Sequence, residues 1–195
     1  YGLIGCGAAG KVHAYHFSRN SNVEFECVAD VDEKQIDKLF ELFKKYDVPL
    51  PKRVYSDYKE MLEKEELDVV SIATPPKYHL EQVDHASKKG VNILCEKPLA
   101  TNFEDSKKLV SLGKERNVKI GVMLQRRANI NTKDIRNAVV DGLFGKINYI
   151  GFNLRCYKPP EYYETWRGKK EFAGGGVLLS QSIHNIDQLI YMLGF

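Results

Sequence analysis

Gly5-Cys6-Gly7-Ala8-Ala9-Gly10 spaces its glycines as G-x-G-x-x-G, between the apolar run Tyr1-Gly2-Leu3-Ile4 and a segment carrying Val12, Ala14 and Tyr15 at helical spacing. The glycine pattern alone is weak, because small residues crowd ordinary turns. Flanked by a strand and a helix, it has the setting that a dinucleotide-binding turn requires. Gly5 permits the tight turn, Gly7 lets the backbone approach a pyrophosphate, and Gly10 allows the helix to pack closely on the strand. The helix N-terminus then presents its N–H groups and its dipole to the phosphates, with Ala8 and Ala9 in the same cofactor set.

Twenty residues beyond Gly10, Asp30 ends a second apolar run, 25–29. A carboxylate there accepts hydrogen bonds from the adenosine ribose and repels a 2′-phosphate, which favours NAD over NADP. Asp32 reads as the cap of the next helix.

Outward from this turn, short apolar runs at 2–4, 25–29, 69–73, 91–95 and 118–122 alternate with amphipathic stretches at 34–45, 78–89 and 104–116. In the first stretch Ile36, Leu39, Phe40 and Phe43 share a face. The rhythm predicts an α/β fold, a parallel sheet with helices on both faces. The charged run 60–68 reads as a solvated helix end. Past Gly121 the rhythm changes: a helix over 131–141 stopped at Gly142, then a strand over 146–155 carrying Ile147, Tyr149, Ile150 and Phe152. A loop rich in Pro and Tyr follows, then Gly174-Gly175-Gly176 and a last helix over about 178–193. These shifts divide the chain into domains at 1–121 and 122–195. Both chain ends read as cut, so the second domain is expected to be the first part of a larger one.

A net charge of +3 on 195 residues, with Lys and Arg interleaved among Asp and Glu, argues against nucleic acid as the partner. No run approaches the roughly 18 to 20 apolar residues that span a bilayer, and no leader-like segment opens the chain, so a cytoplasmic protein without membrane contact is expected. Cys6, Cys27, Cys95 and Cys156 lack C-x-x-C spacing and read as reduced and structural. No set of His, Cys and carboxylates has metal-ligand spacing, so no metal is expected. His13, His16 and His85 read as helix-surface or packing residues.

Two further runs carry chemistry. Ile72-Ala73-Thr74-Pro75-Pro76-Lys77-Tyr78-His79 leaves one strand, and Cys95-Glu96-Lys97-Pro98-Leu99-Ala100 leaves the next, at the sheet end where ligands of open parallel sheets gather. With the N-terminal glycines, these residues resemble the glucose-fructose oxidoreductase and inositol dehydrogenase family, Gfo/Idh/MocA. Arg126-Arg127, the 142–146 segment, Trp166-Arg167-Gly168, and the three glycines leading to His184 and Asp187 follow in the same order. The resemblance implies a Rossmann domain, doubly wound on a parallel sheet, followed by part of an α+β domain with a mostly antiparallel sheet. It places Thr74, Pro75, His79, Glu96, Lys97 and Gln125 with the cofactor, Lys97 beside both nicotinamide and substrate, and a cis peptide bond before Pro98. It also implies a homo-oligomer, a dimer or tetramer, when the protein is complete.

Oxidising an alcohol requires a base for the hydroxyl proton and a positive group for the developing alkoxide. Lys97 supplies the charge, and His184, with an ordinary pKa near 6.5, takes the proton. Lys97, Trp166, Arg167, Gln181 and His184 form the expected substrate set, with Tyr162 and Tyr163 adding aromatic faces. One departure stands out. Members with the inositol dehydrogenase pattern carry Asp four residues before the His, on one helical face, and this chain has Ser180. Gln181 and Ser182 are associated with members acting on nucleotide sugars or amino sugars. The leading expectation is NAD-dependent hydride transfer at a secondary alcohol or ketone of a sugar, cyclitol or nucleotide sugar. The alternatives are a non-catalytic NAD-binding regulator or sensor, and a reductase of a keto or imino sugar; sequence does not set the direction.

Overall fold

A computed structural model describes residues 1–194, which divide into two compact units, Tyr1–Val122 and a second beginning at Met123. The first unit holds a six-stranded sheet. Its strands are β1 (Gly2–Ile4), β2 (Cys27–Ala29), β3 (Arg53–Tyr55), β4 (Val69–Ile72), β5 (Asn92–Cys95) and β6 (Ile120–Val122). They lie in the order β3-β2-β1-β4-β5-β6, every pair parallel. The order reverses between β1 and β4, and the crevice at that switch is where such sheets bind ligands.

Side chains alternate across the sheet with period two. Leu3 and Val28 join Ala14 of helix α1 (Ala8–Ser18) and Ile36, Leu39 and Phe43 of α2 (Glu33–Lys45) on one face. Ile4, Ala29, Val70 and Ile72 join Met61 and Leu62 of α3 (Tyr58–Lys64), Val83 and Ala86 of α4 (His79–Lys88) and Leu109 of α5 (Phe103–Glu115) on the other. This is the doubly covered parallel sheet that the rhythm predicts. Two pieces were not legible. β3 is a three-residue edge strand with Arg53 and Val54 exposed, so no apolar run announces it. The charged run contributes more than a solvated end, because Met61 and Leu62, at 0% and 4% exposure, put one face of α3 into the core.

The second unit is described by itself. It contains α6 (Ile130–Val140), α7 (Pro160–Glu164), α8 (Lys170–Ala173), α9 (Gly176–Ser180) and α10 (Ile183–Leu193), with single 3-10 turns at Gln125–Ala128 and Trp166–Gly168. Gln188 Nε2 donates to Thr132 Oγ1 at 2.8 Å, and the Arg136 guanidinium lies 4.7 Å from the Tyr191 ring centre, which fastens α10 to α6. α10 stops at Gly194, φ +80°, the left-handed residue that ends a helix without strain.

Two expectations need correction here. Residues 146–155 form no strand: β pairing needs a second strand, and all six strands among the described residues belong to the first unit. A mostly antiparallel sheet is therefore not present among the described residues. The last helix is also broken. The Gln181 and Ser182 N–H groups both turn back to the Val177 carbonyl, and α10 restarts with Asn185 and Ile186 donating to the Ser182 carbonyl.

Candidate functional site

The glycine turn is built by contact. Gly5 has φ +94° and donates to the Ala29 carbonyl at 2.8 Å. A Cβ on Gly10 would stand 1.9 Å from the Gly5 carbonyl oxygen, so α1 sits directly on the turn. A Cβ on Gly7 would meet nothing within 4 Å; this is the open approach. Asp32, Asp57 and Asn102 each accept a backbone N–H at the start of α2, α3 and α5, while α1, like α10, has no side-chain cap and no acidic residue in its first turn. What sets α1 apart is the glycine turn it begins on: its first N–H groups lack intrahelical partners beside the open face of Gly7, so the site fits a dinucleotide pyrophosphate.

Asp30 shapes the same turn. Its Oδ2 accepts the Cys6 N–H at 2.7 Å and its Oδ1 the Asp32 N–H at 2.9 Å. Each oxygen keeps a further acceptor site for a ribose hydroxyl. Burial pushes the Cys6 and Cys27 thiols up to about 12 and the Cys95 thiol upward as well, so these three are inert packing groups, and Cys156 is free and exposed.

The ends of β4 and β5 are tied together beside it. Ala73 N–H donates to the Ile4 carbonyl and Glu96 N–H to the Ile72 carbonyl, both at 2.8 Å, which carries the parallel ladder to the sheet's carboxyl edge. Thr74 and Pro75 are half-buried there. His79 is wholly buried. Its Nε2 lies 2.9 Å from the Thr74 carbonyl oxygen, and its Nδ1 3.1 and 3.2 Å from those of Pro98 and Leu99. Burial pushes this imidazole below its ordinary range, and the three carbonyls oppose that. His79 is thus a strut between the two turns, with no exposed surface for a cofactor.

Glu96 is the pivot of the second turn. One carboxylate oxygen lies 3.0 Å from His13 Nε2, and the other accepts the Lys97 N–H at 3.0 Å. His13 Nδ1 lies 3.0 Å from Ser71 Oγ, and the ring is 3% exposed. Burial pushes the Glu96 carboxyl up, but the His13 contact and the Lys97 N–H and charge outweigh it, holding the group below the usual carboxylate range. Of the surface and packing roles expected for His13 the structure has the packing one, on the face of α1 that buries Gly10 and Ala14; its bonds to Ser71 and Glu96 carry no mark in the sequence. The Lys97–Pro98 peptide bond is cis, as the resemblance implies.

In the second unit, Gln125 is exposed, and Trp166 and Arg167 are half-buried. The Arg167 guanidinium lies 4.6 Å from the Trp166 ring centre and 5.3 Å from that of Tyr162, while Lys158 Nζ lies 5.1 Å from the Tyr162 centre. Gln181 Nε2 donates to the Tyr162 hydroxyl at 3.0 Å. His184 is buried in the first turn of α10. Ser180 ends α9, so the break separates it from the helical face that carries His184. Asp187, one turn beyond, accepts from Arg127 Nε at 2.8 and 3.0 Å and from Nη2, which raises Arg127 above its ordinary range. Among the described residues no group of three His, Cys or carboxylates could hold a metal ion, and no helix is long and apolar enough to cross a membrane.

A family model described as an oxidoreductase family with an NAD-binding Rossmann fold matches residues 1–124, and that family's C-terminal alpha/beta domain matches residues 136–195. Myo-inositol 2-dehydrogenase of Thermotoga maritima is 28% identical over 195 residues, covering 99% of this chain and 54% of its own. D-glucoside 3-dehydrogenase of Escherichia coli is 29% identical over 196 aligned residues, covering 99% of this chain and 53% of its own. The crystal structure of the WlbA dehydrogenase of Bordetella pertussis, in complex with NADH and UDP-GlcNAcA, matches with a TM-score of 0.89 at 29% identity, over 99% of this chain and 59% of that one. The chain spans about half the length of the curated relatives it matches.

Proposed function

The chain belongs to the Gfo/Idh/MocA oxidoreductase family, whose NAD-binding domain is its first unit, and on that footing we propose that the complete protein transfers a hydride between NAD and a secondary alcohol or ketone of a sugar, cyclitol or nucleotide sugar. The observation that carries the reading is the Glu96-Lys97 turn, where a lysine at the carboxyl end of β5 is steadied by the Glu96 carboxylate through its N–H. When bound, NAD supplies the hydride acceptor. The N–H groups of the Gly5–Gly10 turn hold its phosphates, and Asp30 holds the adenosine ribose and selects against a 2′-phosphate. Thr74, Pro75, Glu96, Lys97 and Gln125 complete the cofactor set, with His79 shaping it from below.

Lys97 orients the reacting oxygen and offsets its growing negative charge. His184 accepts the hydroxyl proton, or returns it in the reverse direction. Trp166, Arg167 and Gln181 receive the rest of the substrate. Two cations, Lys158 and Arg167, flank the Tyr162 ring, and neither has a carboxylate within ion-pair distance among the described residues. That favours a substrate with an anionic group, as in a nucleotide sugar, and the complex of the WlbA relative supports the same reading. The stretch 146–155 is unpaired among the described residues and exposes Ile147, Tyr149, Ile150 and Phe152, which suits it to pair as a strand of the family's C-terminal domain only where a further segment supplies the partner. The second unit is then proposed to belong to the C-terminal substrate and dimerisation domain.

Replacing Lys97 with Met in the complete protein, against a panel of sugars, cyclitols and nucleotide sugars, tests the assignment. Turnover should fall by about 10²- to 10³-fold with NAD binding retained, and full turnover by the variant overturns it. Ser180 favours a second reading, a non-catalytic NAD-binding sensor; tight NAD binding with no turnover across the panel would select it.

A further inference from the structure

His13 is buried, is bound through both ring nitrogens, and belongs to no step derived above. It stands on α1, one turn past Gly10, and reaches β4 through Ser71 and the end of β5 through Glu96. An ionised carboxylate only accepts, so Nε2 donates to Glu96, while Nδ1 meets the Ser71 hydroxyl, which can donate or accept. The three groups form one continuous chain of bonds. Ser71 sets the ring, the ring sets one carboxylate oxygen, and the other oxygen holds the Lys97 N–H.

Fastening α1 to the sheet does not require this arrangement. Ala14, the next residue, is fully buried and packs as an apolar contact without polar partners. A buried polar pair is costly to desolvate, and apolar residues of similar volume commonly replace such pairs without loss of stability. What the pair adds is direction, and the group it directs lies next to Lys97. The same helix begins at the phosphate-facing turn, so His13 also links that turn mechanically to Lys97.

We propose that His13 is a positioning residue for hydride transfer, holding the Glu96 carboxylate and, through it, the Lys97 backbone in register with the dinucleotide. The proposal rests on the hydride-transfer reading above.

Two variants of the complete protein separate positioning from fastening. His13→Asn keeps an amide near Nδ1, able to meet Ser71, and loses the reach to Glu96. His13→Gln places its amide near Nε2, able to meet Glu96, and loses Ser71. His13→Asn is expected to lower kcat about ten- to hundredfold, as small misplacements of a reacting group do, while the NAD dissociation constant stays within about threefold; His13→Gln should restore most of kcat. If both variants lose similar stability to urea and keep kcat, the histidine merely fastens the helix and the proposal is overturned. Should His13→Asn not fold, Ser71→Ala frees the ring with the buried volume nearly unchanged; an unaltered kcat there also overturns it. Absence of turnover by the unmodified protein, seen before any variant is made, defeats the hydride-transfer reading and takes this proposal with it, whereas normal turnover with an indifferent His13→Asn defeats the proposal alone.

Discussion

Gly7 and Gly10 lie three residues apart, and the same change to alanine should do opposite things at the two positions. At Gly10 the new Cβ would stand 1.9 Å from the Gly5 carbonyl oxygen and 2.9 Å from its carbon, where ordinary contact begins at 3.4 Å, so about 1.5 Å must be opened between α1 and the turn. The obstacle is backbone, which cannot rotate aside. Overpacking of this kind costs about 1–3 kcal/mol or more, which lowers the thermal midpoint by roughly 2 to 12 °C, and it moves the first-turn N–H groups off the phosphates. At Gly7 the Cβ meets nothing within 4 Å and φ is −67°, so alanine is tolerated and stability should stay within about 0.5 kcal/mol. The methyl group would occupy the approach to the turn and exclude the pyrophosphate. Urea unfolding with NAD calorimetry reads both variants: Gly10→Ala should lose stability and NAD binding, Gly7→Ala NAD binding alone. Unchanged stability in Gly10→Ala, or undiminished NAD affinity in Gly7→Ala, refutes the contact argument.

Asp30→Ala removes the acceptor of two backbone N–H groups as well as the ribose contact, so NAD affinity should fall at least about tenfold and the preference over NADP should narrow, both read by titration. Lys158→Ala and Arg167→Ala should each raise KM for an anionic nucleotide sugar about tenfold or more, with kcat and NAD affinity little altered; equal KM for charged and neutral substrates in the variants would remove the anionic subsite. Glu96 titrates below its ordinary 4.5 in the folded protein, so its contribution is present above pH 4.5 and is lost as pH falls through the folded value. Glu96→Gln should accordingly flatten the acid limb of the urea midpoint below about pH 4.5. Arg127→Ala leaves the buried Asp187 carboxylate without its guanidinium and should destabilise the second unit by about 1.5–3 kcal/mol, measured by urea unfolding.

What sequence disclosed and what it hid divide along a physical line. Period-two and period-3.6 patterns report burial, so strands covered on both faces and amphipathic helices such as α2 were legible from Leu3, Val28, Ile36 and Phe43. β3 lacked that signal, because an exposed edge strand is defined by its hydrogen bonds to β2 and by little else. Residues 146–155 show the converse case. Their β-prone side chains are present, but a strand exists only when another chain segment accepts its hydrogen bonds. At the site, the glycines and Asp30 announce themselves through spacing. His13 does not, because a histidine on a helix carries no mark of what faces it until the register of α1 on β4 and β5 is known. The break at Gln181–Ser182 was hidden by an apolar stripe that continues across it.

Transfer of label from substrate to cofactor tests the central claim most directly. The complete protein would be incubated with NAD and a nucleotide sugar bearing deuterium on the carbon to be oxidised, and the reduced cofactor examined by mass spectrometry. The account predicts one deuterium in the reduced nicotinamide and its near disappearance with Lys97→Met. Tight NAD binding with no label transferred from any member of the substrate panel would contradict it.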